Sequence, residues 1–292
     1  MTWFLIALLS SFLSAFAAIT QKKVLFNRSP LEFSFLLSIA NLLFSIPFFF
    51  FIDYGTVNLN NLTVLFVKAV IGVAAFLCVM TALKNLQISN ALPLLALTPG
   101  FVAFFAFIFL GESLSLPEVA GLISLMTGTY ILESKNLKEI LFPLNVFFRS
   151  KFHRYILAAL LLFTASSVMD KLLLIRLNLT PVSLTAFQHL FFAILFTIIY
   201  LFGKGDSKSS GLLADKKDFG WIALISVLTI GYRFTQIVSI GLASVALTLA
   251  VKRTSVLWAT IIGGRIFKDS NMIKKTIAVL FILLGAVLIL RD

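Results

Sequence analysis

The stretch TPGFVAFFAFIFLGESLSLPEVAGLISLMTGTYIL, residues 98–132, contains two apolar helices. The first stops at Gly111-Glu112, a short polar link follows, and the second carries a late glycine, Gly128. Further along, TSVLWATIIGGRIFKDSNMIKKTIAVLFILLGAVLIL, residues 254–290, repeats the arrangement, with its acidic turn at Lys268-Asp269 and its late glycine at Gly285. Glu112 and Asp269 are 157 positions apart, and so are Gly128 and Gly285. The common spacing points to two related halves.

The composition is that of a chain dissolved in lipid. Of its 292 residues, 60% are hydrophobic and only 12% charged, and 32 are phenylalanine. Soluble chains carry about 25% charged residues. Apolar runs of about 20 residues recur, the length that crosses a ~30 Å hydrocarbon layer. Ten spans are expected, at residues 3–20, 32–52, 62–83, 90–110, 116–133, 155–176, 183–202, 219–238, 244–266 and 273–290. Short links make most neighbours antiparallel hairpins. The expected fold is an all-α integral membrane protein: a first five-helix module at 1–134, a basic connecting loop at 135–154 and a second five-helix module at 155–292. An odd-numbered repeat enters the membrane from the opposite side in its second copy. Such inverted repeats are common in secondary transporters, whose site lies between the halves near the midplane. The opening segment resembles a signal peptide with Ala15-Phe16-Ala17 as a cleavage site, but it lacks a basic start. It is expected to remain as the first helix of the repeat.

The net charge of +12 is read as orientation rather than as affinity for nucleic acid. Lysines and arginines crowd the links after spans 1, 3, 5, 7 and 9, while the opposite side holds only Arg176 and Arg291. The positive-inside rule then places those five links in the cytoplasm of a plasma-membrane protein and both termini outside. A single cysteine, Cys78, and two histidines, His153 and His189, offer neither an internal disulfide nor a metal cluster. There is no nucleotide-binding loop and no nucleophile with a nearby base. Neither a cofactor nor an enzymatic reaction is expected.

The segment ALKNLQISNALPLLALTPGFVAFFAFIFLGESLSLPEVAGLISLMTGTYIL, residues 82–132, resembles the EamA module of the drug/metabolite transporter superfamily. The resemblance rests on an alanine-rich entry, a mid-span proline at Pro99, a Gly-Glu turn and a glycine-bearing final helix. It implies a ten-helix carrier that works by alternating access through a central cavity. The family's sugar-phosphate branch is known for a Lys-Arg pair in its ninth helix that binds phosphate, and Lys252-Arg253 match that pair in position. The family is usually described with both termini in the cytoplasm, opposite to the orientation the charges favour here.

Five cations fall within spans: Lys68, Lys171, Arg233, Lys252 and Arg253. An ionised side chain at mid-bilayer costs ~2.5–3.5 kcal/mol on insertion scales, so depth decides which of them need an explanation. Lys68 is roughly 9 Å of helix from Asn61 and is expected to snorkel toward the interface. Lys252 lies ~13 Å beyond Ala243 and ~22 Å before Phe267, too deep for that. Adjacent helical residues point about 100° apart, so Lys252 and Arg253 can border one wet site. The competing reading is internal pairing with Asp170, for which Lys171 competes.

The expected substrate-binding set is Lys252 and Arg253, helped by Arg233 and Tyr232 and oriented by Thr98, Thr254 and Ser255. Arg233 is alternatively an ion-pair member, and Thr254 and Ser255 are alternatively packing hydroxyls. Asp170, Lys171 and His189 are expected as a coupling group or an ion pair. His189, close to a helix end, is expected to be a satisfied structural histidine. Glu112 and Asp269 are read as turn or gate contacts. The function expected is secondary transport of a small, polar, anionic organic solute, with membrane lipid as the surroundings and no nucleic-acid partner. The alternatives are an exporter of amino acids or amphipathic metabolites, a flippase or membrane enzyme for a phosphorylated lipid, and an assembly protein with no solute path.

Overall fold

The computed structural model describes residues 1–25, 28–85, 95–133, 151–202, 216–258 and 272–290. Among them are ten longer α-helices: α1 (Thr2–Leu25), α2 (Pro30–Phe49), α3 (Leu59–Asn85), α4 (Thr98–Leu110), α5 (Leu116–Glu133), α6 (Lys151–Ile175), α7 (Pro181–Phe202), α8 (Lys216–Leu242), α9 (Val245–Arg253) and α10 (Met272–Leu290). Six of them, α1, α2, α3, α6, α7 and α8, are long and apolar enough to cross a membrane, and the apolar parts of α4, α5 and α10 are shorter. Asp269 and Pro93 lie outside the described residues, as do most of the basic connecting loop and the 203–215 stretch.

The burial pattern suits lipid. Phe104, Phe107 and Phe109 on α4 and Leu280, Leu283 and Val287 on α10 are exposed, while Ser10, Ser11, Lys68, Asp170 and Thr248 are fully buried. Lipid accepts the apolar face that water would reject, so polar groups are left to meet one another between helices. The principal helix contacts join the first half of the chain to the second: α5 with α10, α1 with α8, α3 with α6 and α2 with α7, while α4 packs on α6 and on α9. Small residues allow close approach. Ala69, Ala75 and Ala82 of α3, Ala159 of α6 and Ala7 of α1 are buried to zero exposure on helices of the α1–α8 and α3–α6 pairs. Hydroxyls bridge backbones there, with Ser10 Oγ donating to the Tyr232 carbonyl (2.7 Å) and Ser239 Oγ to that of Trp3 (2.9 Å). The α2–α7 seam is aromatic, with Phe35 stacked on Tyr200 at 4.4 Å and Phe49 edge-on to Phe187 at 5.6 Å.

α5 and α10 cross antiparallel at their glycines. A Cβ on Gly121 would sit 2.8 Å from the Gly285 carbonyl oxygen, and one on Gly128 would sit 2.7 Å from that of Ala278. Between them Ser124 Oγ donates to the Phe281 carbonyl at 2.8 Å, a pair 157 positions apart.

Span 4 is interrupted where Pro99 implies a break in its backbone ladder, and span 9, expected to be continuous, is corrected: the chain turns at Ala96-Leu97 before α4 and again at Thr254 after α9. Pro99 lacks the N–H that the Leu95 carbonyl would accept in a helix. The Thr98 hydroxyl fills that gap, donating to the Leu95 oxygen at 2.6 Å. At the other break the Thr254 N–H closes a tight turn to Val251 O at 3.0 Å, and its hydroxyl donates to the same oxygen at 2.7 Å. Such back-bonding competes with the regular ladder.

Candidate functional site

Asp170 of α6 has no exposure. Lys68 Nζ of α3 meets its Oδ1 at 2.6 Å, and Arg233 Nη2 of α8 meets Oδ2 at 2.6 Å. The Gln188 amide oxygen of α7 accepts from Lys68 Nζ at 2.5 Å and from Arg233 Nη2 at 3.0 Å. Four helices therefore converge on one carboxylate. This corrects the reading of Lys68: it does not snorkel, because its ammonium is fully buried and held by two oxygens from other helices. Its stem reaches inward as easily as outward, and a carboxylate at the right depth settles the direction.

One turn of α8 ties this group to a second one. Tyr232 and Gln236, four residues apart and hence on one face, both hold Lys252 of α9. Lys252 Nζ lies 2.5 Å from Gln236 Oε1 and 4.6 Å from the Tyr232 ring centroid. The ring face rather than the hydroxyl of Tyr232 thus meets the cation, an attraction of about 2 kcal/mol or more when desolvated. Arg253 Nη2 donates to Thr98 Oγ1 at 3.2 Å. Thr98 is the residue whose own hydroxyl fills the proline gap, so the break before α4 presents it to the cation at the break after α9.

The other expected residues are placed differently. Lys171 does not share Asp170, since neighbouring helical residues diverge by about 100°. Its ammonium takes the carbonyls of Ile240 and Ala243 at 2.8 and 2.7 Å, and Glu112 at 3.4 Å. The Thr254 hydroxyl is engaged by Ser11 of α1 at 2.8 Å and by its own helix. Ser255 is partly exposed on the following turn. His189 is only 3% exposed, and neither ring nitrogen has a hydrogen-bond partner among the described residues, which corrects its reading as a satisfied histidine. Gln236 drew no notice in the sequence; its signal was a polar amide at mid-span, one turn beyond Tyr232.

Glu112 forms a lock at one end. Gly111 adopts φ +73° and ends α4, a conformation glycine enters at little cost. The turn throws Glu112 over the start of α9, where its Oε2 accepts from Ser244 Oγ at 3.0 Å and from the Val245 N–H at 3.2 Å. A carboxylate at a helix N-terminus and an ammonium at the preceding helix's C-terminal carbonyls both oppose the helix dipoles favourably. Glu112→Ala is expected to lower stability by about 2 kcal/mol, measured as thermal unfolding of the detergent-purified protein. A smaller loss for Glu112→Gln, which keeps an acceptor oxygen, checks the assignment.

These observations define a class: a multi-pass helical membrane protein with ionised groups gathered between its helices. The model of the EamA-like transporter family matches residues 1–134. The matched part, a little under half of the chain, is similar to EamA-like membrane transporters. No curated protein matches it in sequence. A solved crystal structure superimposes with a TM-score of 0.74 over 99% of this chain and 97% of its own, at 16% identity, a likeness of fold alone.

Proposed function

We propose that the protein is a secondary transporter that carries a small anionic organic solute by alternating access between two inverted five-helix modules, residues 1–134 and 155–292. One observation carries the anionic reading: Lys252 is held within the bundle by an amide oxygen and an aromatic ring, neither of which cancels its charge. The carboxylate of Asp170 is already shared between Lys68 and Arg233. Among the described residues, Lys68, Arg233 and Lys252 on α3, α8 and α9 outnumber the carboxylate of Asp170, which favours an anion as a further partner. Arginine supplies a fork matched to carboxylate or phosphate, and lysine a mobile point charge. The sugar-phosphate branch is similar in placing a Lys-Arg pair at this point.

The inverted arrangement is supported by how the halves meet. Advancing each helix by five exchanges the α1–α8 contact with α6–α3, and α5–α10, α2–α7 and α4–α9 each map onto themselves. The Ser124–Phe281 bond joins two positions at the repeat spacing. Rocking of one module on the other is the motion this symmetry suits. The basic links lie in the cytoplasm of the plasma membrane, with both termini outside, by the positive-inside rule.

The test is ligand-dependent thermal stabilisation of the purified protein, since a ligand that binds only the folded state raises its apparent stability. The panel holds inorganic phosphate, sugar phosphates, carboxylates, amino acids and amphipathic cations. Each is applied to wild type and to Lys252→Gln/Arg253→Gln. Anions are expected to stabilise the wild type, with the response lost in the double variant; the best ligand then enters liposome uptake. Equal stabilisation of both proteins by cations or neutral solutes overturns the anionic reading. A preference for amino acids points to the exporter alternative.

A further inference from the structure

We propose that Gln236 sets the number of negative charges on the solute, because it holds Lys252 in place without neutralising it. The inference rests on the anion-carrier reading and adds the residue that determines its charge selectivity. The bundle contains its own comparison. Lys68 and Lys252 each have a glutamine oxygen at 2.5 Å, from Gln188 and Gln236 respectively. Lys68 has in addition the Asp170 carboxylate at 2.6 Å, whereas Lys252 has the face of Tyr232. Each ammonium has one amide oxygen, and the sites differ in what is added: Lys68 gains a carboxylate that carries charge, and Lys252 an aromatic face that carries none. One lysine meets a carboxylate within the protein, and the other meets none within hydrogen-bond distance among the described residues.

Gln236 is 2% exposed, so water does not replace it readily. A glutamate in its place has the same shape, accepts the same hydrogen bond and adds one negative charge beside Lys252. The interaction of that added charge with a bound anion grows in proportion to the anion's own charge. A change at Gln236 that leaves every charge in place affects all anions alike. A residue that sets charge selectivity affects them in order of valence.

The experiment measures the affinities of butyrate, succinate and tricarballylate, carboxylates with one, two and three charges, by titrated thermal stabilisation of the full-length protein. Gln236→Glu is expected to weaken butyrate about tenfold and succinate about a hundredfold, the square of the first factor, with tricarballylate weaker still. Gln236→Leu, which removes the hydrogen bond without adding charge, is expected to change all three by one common factor. Lys252→Met removes the same unit of charge from the other side of the contact and is expected to reproduce the valence order, which keeps the test intact if Gln236→Glu does not fold. A response to Gln236→Glu that is equal for the three ligands, or absent, overturns the role of Gln236 while leaving anion transport standing. A wild type that none of the three stabilises and that also ignores phosphates overturns the anionic reading, and this proposal with it.

Discussion

Asp170→Asn is expected to lower the stability of the folded protein by at least about 3 kcal/mol, the range found when one partner is removed from a buried ion pair. The reason is that this carboxylate serves two cations. Lys68 has no exposure and Arg233 is mostly buried, so neither recovers its lost counter-charge from water. Asparagine keeps an acceptor oxygen but not the charge, and Gln188 is already engaged by both cations. Lys68→Met is expected to cost less, because Asp170 then retains Arg233 at 2.6 Å. Combining Asp170→Asn with Lys68→Met is expected to recover part of the loss, since one unpaired cation is less costly than two. Thermal unfolding of the three variants in detergent, followed by size-exclusion chromatography, provides the measurement. An Asp170→Asn protein that unfolds with the wild type would show that the three groups are not bonded to one another.

Gly285→Leu is expected to prevent α5 and α10 from closing, with a loss above about 3 kcal/mol, the upper end of ordinary overpacking costs. A Cβ at Gly285 would lie 2.7 Å from the Gly121 carbonyl oxygen and 2.8 Å from the Leu125 backbone nitrogen. A flexible side chain turns away from such an intrusion, but a helix backbone moves only as a whole. Gly285→Ala is expected to show the same loss in smaller measure. Gly220→Ala is the contrast, because nothing lies within 4 Å of the Cβ it would add. Recovery of monodisperse protein and its midpoint of thermal unfolding decide between close crossing and loose contact. Stability of Gly285→Leu equal to that of wild type would mean that the two helices do not cross at these glycines.

The helical membrane character of this protein was legible in the sequence because it depends on local composition. Apolar length decides what dissolves in lipid, and helix is the form in which a single segment satisfies its own backbone there. The acidic turn at Glu112 and the glycines of α5 and α10 were likewise visible, since a chain reversal and a close approach each demand particular residue types.

Tertiary structure decided how the charged groups pair. A lysine stem reaches several ångströms in any direction, so whether Lys68 turns to the interface or to Asp170 depends on what α6 places beside it. Asp170 and Lys171 are neighbours in sequence yet meet different partners, one bound to α3 and α8 and the other to the α8–α9 turn. The break before α4 follows locally from Pro99, while Thr254, at the break after α9, also meets Ser11 of α1. Gln236 gained its place only when α8 and α9 packed together. Sequence by itself determined which groups had to be kept from lipid; their partners were fixed by folding, because contact at ~3 Å between residues remote in the chain is a property of packing rather than of any one segment.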